Sequence, residues 1–335
     1  MVFAIGMQRA GLTGALAASL GFLLPSTVLM ILFAYGVAAL GDVQNAAWLH
    51  GLRIAAAAVV AQAVWNMARR LCPDFPRALL ALGATAIVLS LPGAYIQIGV
   101  LAAGMVVGLL FLKTSSFRFR ASSAVASPAP SNLQPASGHK FALIALAIYL
   151  FLLILLPFVA TSHGAHVLAS FYRAGALVFG GGHVVLPLLR AEVVPPGWIS
   201  DHTFLAGYGA AQAVPGPLFS FAAYLGTVIF TGPHAWLGGL GCLFAIYLPA
   251  WLVVGGALPF WHTLRDRVWA QSALRGANAA VVGILLAALI NPIAMESLNN
   301  WVDVVAVIIA LGLLERWHTP PWLVVLLAAA LGRFI

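Results

Sequence analysis

Apolar runs separated by short polar gaps leave this chain few folds to choose from. They cover residues 12–40, 52–67, 78–92, 94–112, 141–160, 166–189, 203–230, 235–261, 273–291, 301–315 and 320–334. A helix needs about 20 apolar residues to cross the roughly 30 Å hydrocarbon layer of a bilayer, and fewer where it is broken or enclosed by protein. Hydrophobic residues make up 63% of the chain and charged residues 7%, against about 25% charged in an ordinary soluble domain. No soluble core hides that much apolar surface, so lipid is the solvent the sequence expects. The predicted fold is all-α, a polytopic transmembrane helical bundle of about 11 spans.

The net charge of +8 would suit nucleic acid or an anionic partner. Its distribution points to the lipid bilayer instead. Lys and Arg sit mostly in the gaps between apolar runs, as the positive-inside rule expects, and no basic stripe interleaved with aromatics is present. Residues 114–140 differ from the rest. Pro128, Pro130 and Pro135 forbid a regular helix there, so the stretch reads as an exposed linker between two halves. With the linker in the cytoplasm, Lys113, Arg118, Arg120 and Lys140 lie inside. Counting spans in both directions then adds Arg9, Arg69, Arg70, Arg77, Arg190, Arg265, Arg267 and Arg316, which makes twelve of the 16 basic residues. The loops left outside, near 41–51, 161–165, 231–234 and 292–300, carry no Lys or Arg. The apolar stretch after Arg9 is too long for a cleavable signal core, so the first segment is expected to stay as a span with a cytoplasmic N-terminus. Cys72 and Cys242 belong to no CxxC or Cys/His cluster and read as free thiols, with no metal site.

An internal repeat is legible. Leu52-Arg53 and the small residues after it match Leu274-Arg275 and the residues after it. Leu24-Pro25 upstream matches Leu248-Pro249, and Gly6 matches Gly226. By the span count the Pro25 and Pro249 segments cross in opposite senses, so the two repeats are inverted in topology, an architecture that gives transporters alternating access. Residues 166–220 have no counterpart in the first repeat. The expected domains are an incomplete repeat over 1–113, the linker over 114–140 and a complete repeat over 141–335.

Two motifs stand out. Gly180-Gly181-Gly182-His183 lies inside an apolar run, where three glycines weaken a helix by about 1 kcal/mol each relative to Ala. Bare backbone N–H groups beside a following helix N-terminus make an anion site; close helix packing through small residues is the alternative. Gln212-Ala213-Val214-Pro215-Gly216-Pro217 breaks its helix as well, either to line a cavity or as a plain loop. Gln212 can donate to an oxyanion or serve as a structural amide. Pro195–Asp201 reads as a cytoplasmic turn with Ser200 as N-cap, Asp201 in the first helical turn and Trp198 at the interface. Arg173 faces either the bundle interior or, by snorkelling, the outer interface. Arg53 and Arg275 start matching spans, as symmetric anion gates or as helix-end anchors. Asp and Glu all fall at or near span ends, with no buried pair for proton relay or Mg²⁺ chemistry. Nucleophile elbow, zinc-hydrolase and phosphate-loop motifs are absent, so neither an enzyme nor a cofactor is expected.

At these residues the sequence resembles the chromate ion transporter family. The matching text is Phe179–Arg190, Gly197-Trp198, Phe204–Gly207, Gln212–Pro217 and Ala223–Gly226, while residues 1–112 resemble the later part of a first copy. The resemblance implies export of chromate across a bacterial inner membrane, with sulfate, the other tetrahedral dianion, as a look-alike substrate. It implies that Gly180, Gly181, Gly182, His183, Gln212, Pro215, Gly216 and Pro217 hold the oxyanion near the midplane, with Arg173, Arg275 or Arg53 adding charge. Short family members work as pairs of single-domain chains, so a homodimer is among the implied assemblies. The first copy's own glycine and Pro-Gly-Pro motifs would precede Met1. Their absence is expected to reflect a late start codon or a truncated gene, and a truncated chain would be a non-transporting remnant or a subunit that needs a partner.

Overall fold

Helix is the regular structure throughout the described residues, as lipid demands of a chain that must satisfy its own backbone N–H and C=O groups. The structure, a computed structural model, describes residues 2–39, 47–91, 93–112, 139–178, 182–257, 260 and 267–332. Linker residues 114–138, together with Gly180, Gly181, Lys113 and Arg265, lie outside them. The helices are α1 (Val2–Ala39), α2 (Ala47–Leu71), α3 (Phe75–Ser90), α4 (Ala94–Phe111), α5 (His139–Val159), α6 (His163–Ala176), α7 (Val185–Val193), α8 (Asp201–Ala213), α9 (Phe221–Ile229), α10 (Ala235–Ala257), α11 (Val268–Ala288), α12 (Trp301–Glu315) and α13 (Pro321–Leu331). Six helical stretches among the described residues are long and apolar enough to cross a membrane, within α1, α2, α4, α5, α10 and the extended α11. The chain is a polytopic helical membrane bundle.

The runs 166–189 and 203–230, expected to cross, do not. Each is a hairpin that enters and leaves by the same face. Arg173 on α6 pairs with Glu192 on α7, nearly equidistant in sequence from Gly182. The Tyr224 hydroxyl on α9 donates to Thr203 O on α8 at 3.1 Å, and Phe204 meets Phe221 edge-on at 5.1 Å, across a tip at the Pro-Gly-Pro turn. The mouths of the two hairpins share one face. His163, at the start of α6, packs on Trp198 at 5.5 Å and Phe230 at 6.2 Å. Tyr35, near the end of α1, donates to Pro233 O at 3.2 Å and accepts from Trp236 N at 3.1 Å. The turn 195–201 and Arg190 therefore belong with 161–165 and 231–234, not on the opposite, cytoplasmic face the sequence reading gave them. Two crossings are lost and they cancel, so every later span keeps its direction and the charge count loses Arg190 alone. Ser200 does cap α8, accepting from Thr203 N at 3.2 Å. His139 and Lys140, assigned to the linker, open α5.

Around the hairpins the bundle is knitted reciprocally. In the first half α2 packs on α12 and α13 of the second; in the second half α11 packs on α3 and α4 of the first. Glycine makes these seams close. A Cβ on Gly276 would collide with Gly104 O, on Gly283 with Ala81 O, and on Gly51 with Ala328 O. Such backbone contact is how helices associate when lipid is as apolar as their side chains. The Gly6 and Gly226 landmarks also behave alike. Gly6 lies against Gly14 where α1 bends at Ala10 and Gly11 (φ +62°), and Gly226 lies against Gly238 where α9 turns into α10.

Cysteine labelling separates hairpins from crossings. With Cys72 and Cys242 replaced, single cysteines at Thr161, Pro196 and Thr231 should react from one side of the membrane, and one at Pro73 from the other. Position 196 reacting together with position 73 would restore the two crossings.

Candidate functional site

Both hairpin tips stop about halfway through the bundle. The Tyr149 hydroxyl, from the middle of α5, donates to Ala176 O at 3.1 Å, and Tyr172 on α6 donates back to Tyr149 O at 3.0 Å. Gly216 presses on Ser26 in the middle of α1, where an added Cβ would stand 2.6 Å from the serine Cβ. Gly216 holds a φ of +152°, which glycine adopts readily and other residues rarely. The prolines on either side of it remove two backbone donors and prevent helix from continuing, so the sequence itself builds this tip.

The tips meet. A single 3₁₀ turn, Gly182–Val184, leads into α7, and another, Leu218–Ser220, leads into α9, and the two turns are in contact. Both helices thus begin at mid-depth, and neither has a side-chain cap on its N-terminus. The positive ends of two helix dipoles converge there, where negative charge is best accommodated. Polar side chains surround them. His183 Nδ1 lies 2.9 Å from the fully buried Tyr208 hydroxyl. Gln212 flanks that hydroxyl, and its buried Nε2 has no hydrogen-bond partner in the protein. Tyr247 of α10 packs edge-on against Phe219 of the second turn at 5.3 Å, and its buried hydroxyl is likewise unpartnered. Buried donors without acceptors cost free energy, and two at one junction suit an acceptor-rich guest.

A cavity of about 560 Å³ runs from the 194–200 loop to Pro187, close to the first tip. Its walls include Tyr95, Gln97, Ser170, Arg173, Arg190 and Trp198. Arg173 is not the free interior charge expected of it. It makes a bidentate pair with Glu192 and stands 5.5 Å from the Tyr95 ring centre. Arg190 makes a second bidentate pair with Asp201, at 2.6 and 2.8 Å. Gln97 is 7% exposed, with Nε2 on Pro187 O at 3.4 Å and Oε1 unpartnered.

The remaining arginines stand apart from the tips. Arg53 joins a network of histidines and carboxylates at the hairpin-mouth face. Arg275 is next to Gly276, which packs on Gly104 and Gly108 of α4. The carboxylates keep to helix ends. Glu192, near the end of α7, is 7% exposed and ion-paired with Arg173, and Asp303, in the first turn of α12, is fully buried and bonded to His50 Nε2. Of the expected oxyanion residues, the structure gathers Gly182, His183, Gln212, Pro215, Gly216 and Pro217; Gly180 and Gly181 fall outside the described residues. Tyr208, Tyr247 and Ser26 were missed. A tyrosine inside an apolar run, whose hydroxyl needs a partner when buried, was the available signal.

The family model described as Chromate transporter matches residues 1–109 and 165–333, leaving out essentially the linker and α5. The chain belongs to the chromate transporter family. Among its relatives, a chromate transport protein of Pseudomonas aeruginosa is 28% identical over 295 residues, 84% of this chain and 64% of that protein. An uncharacterized transporter of Bacillus subtilis is 31% identical over 171 residues, 50% of this chain and 84% of that one. A probable chromate transport protein of Synechococcus elongatus is 25% identical over 181 residues, 52% of this chain and 44% of that protein. The chain thus spans less than two thirds of the Pseudomonas aeruginosa relative. No solved structure matches. The family match over 165–333 takes in both hairpins and the junction of their tips.

The Arg173–Glu192 pair is open to a stability test. Glu192→Leu should leave a buried guanidinium uncompensated and cost about 3 kcal/mol, read as a lower melting temperature in detergent. Arg173→Met with Glu192→Leu should recover most of the loss. A double variant as unstable as Glu192→Leu would assign the loss to packing instead of charge.

Proposed function

We propose that the chain is a carrier that moves chromate out of the cytoplasm, holding the dianion where the two hairpin tips meet. The observation that supports this reading most is the meeting of two helix starts with the unpartnered buried groups of Gln212 and Tyr247 at mid-depth. A tetrahedral oxyanion presents acceptor oxygens in every direction and brings the charge that helix N-termini favour. Backbone and amide dipoles separate chromate from sulfate poorly, so sulfate should compete. The cavity beside Arg173 and Arg190 is the route to the hairpin-mouth face. We assign that face to the outside, because Arg69, Arg70, Arg77 and the basic residues around the linker gather at the other. In this orientation the N-terminus and linker are cytoplasmic and the membrane is the bacterial inner membrane. The reciprocal seams of α2 and α11 support two inverted repeats, which would exchange conformations to open the tips to each side in turn.

One observation favours a second reading, in which transport needs a partner chain. The face of α2 around Leu52 is covered by α8, whereas Leu274, at the matching position of α11, is 45% exposed. A further hairpin from another copy or another chain would cover it.

Flux measurements discriminate. Everted vesicles containing this chain should accumulate chromate above empty vesicles, and sulfate should reduce the uptake. Gly216→Ala should reduce it to near background while the protein still inserts, because the added Cβ meets Ser26 at a φ unfavourable by about 1–3 kcal/mol. Gln212→Leu should raise the half-saturating concentration about tenfold, the loss of one charge-assisted hydrogen bond. Background uptake by the unaltered chain, restored by a co-expressed family partner, would select the second reading.

A further inference from the structure

Arg53 sits at the centre of a network that the hairpin tips do not use. It lies where α2 leaves the hairpin-mouth face and is 7% exposed. Its Nη1 is 2.5 Å from His202 Nδ1 at the start of α8, and its Nη2 is 3.4 Å from His50 Nδ1. A guanidinium has donors and no acceptors, so both imidazole Nδ1 atoms accept. Each neutral ring then carries its hydrogen on Nε2, and each Nε2 faces a carboxylate. His50 Nε2 is 2.9 Å from Asp303 Oδ1, and His202 Nε2 is 3.4 Å from Glu296 Oε2. Two parallel relays result, from arginine through histidine to carboxylate, with both tautomers set by the arginine.

The two relays are unequal. Asp303 is fully buried and also accepts from Asn299 N and Asn300 N at 2.7 and 3.1 Å, and the His50 side chain is 15% exposed. That arm is fixed structure. His202 is 45% exposed and Glu296 32%, so a proton from solution reaches this arm. A protonated His202 would turn an N–H toward the Arg53 guanidinium, donor against donor and cation against cation. At the same time its attraction to Glu296 would grow. The other charged or titratable groups facing this end of α8 keep their own partners. Asp201 pairs with Arg190 of α7, and the Tyr224 hydroxyl of α9 donates to Thr203 O. Against α8, α1 and α13 present Phe33, Val325 and Ala328.

We propose that His202 is a proton-binding site that moves the second hairpin between two attachments, Arg53 on α2 when neutral and Glu296 beyond α11 when protonated. The hairpin it moves is the one that ends in Gln212 and the Pro-Gly-Pro tip, and the Arg190–Asp201 pair carries the first hairpin with it. Protons from the mouth face would in this way set where the tips stand.

The test uses the full chain in lipid and needs no oxyanion, so it stands or fails apart from the chromate reading. Nitrogen NMR on labelled histidine, with the His202 signals assigned by their loss in His202→Gln, should show a single Nε2–H tautomer before acidification and a doubly protonated ring after it. Spin labels at Pro196→Cys and Trp301→Cys, with Cys72 and Cys242 replaced, report the spacing between the hairpin mouth and α12. Acidification should add a second distance population in the wild-type background and in His50→Gln. It should add none in His202→Gln, whose side-chain oxygen still accepts from Arg53 and whose amide still faces Glu296. An unchanged His202 ring at both pH values, a distance distribution that ignores pH, or the same acid population in His202→Gln would each overturn the proposal.

Discussion

Non-helical backbone at mid-membrane depth is the constraint that organises this protein. In lipid an unsatisfied N–H or C=O costs several kcal/mol, so irregular segments survive there only when protein encloses them. The second tip is irregular at Val214–Pro217, the described residues flanking the first tip leave α-helix at Leu177 and Gly182–Val184, and the bundle is arranged to shield both. α5 lends a tyrosine hydroxyl to the first tip, and α1 presses Ser26 into the glycine of the second. α10 brings Ile246 against Gly175 and Tyr247 against Phe219. Polar groups in such a setting either bond one another or wait for a guest, and Gln212 and Tyr247 keep buried atoms with no partner in the protein.

Enclosing the tips requires neighbours that do not drift, and the glycine seams supply them. Where α11 meets α3 and α4, and where α2 meets α13, backbones touch with no room for a Cβ. These helices join both halves of the chain into one frame, against which α8 leans through Leu52, Ala206 and Ala210. Ion pairs then tie the hairpins, with Arg173–Glu192 within the first and Arg190–Asp201 between the two. Charges that read as isolated in the sequence are thereby neutralised inside a cavity wall, which makes an arginine at that depth tolerable.

Much of this was legible from residue order, for reasons that can be named. Helix and membrane follow from apolar run length, since composition alone determines the solvent. The second tip follows from Pro215–Pro217, because glycine and proline act on the backbone locally and need no tertiary context. The hairpins did not follow. A run of 24 or 28 apolar residues, as at 166–189 and 203–230, is as apolar folded back as crossing, and hydropathy does not record direction. The error hid itself because two missed reversals restore the parity of every later span. The Arg53 network was equally invisible, with members at 50, 53, 202, 296 and 303 that share no spacing.

The sequence by itself determined that this chain lives in lipid, that it is helical, and where its helices must break, because those properties depend on side-chain transfer energies and on the dihedral freedom of single residues. The tertiary structure alone decided that the breaks are turning points, that they meet, and which arginine pairs with which carboxylate. Those outcomes depend on distances between residues far apart in the chain, and only packing sets them.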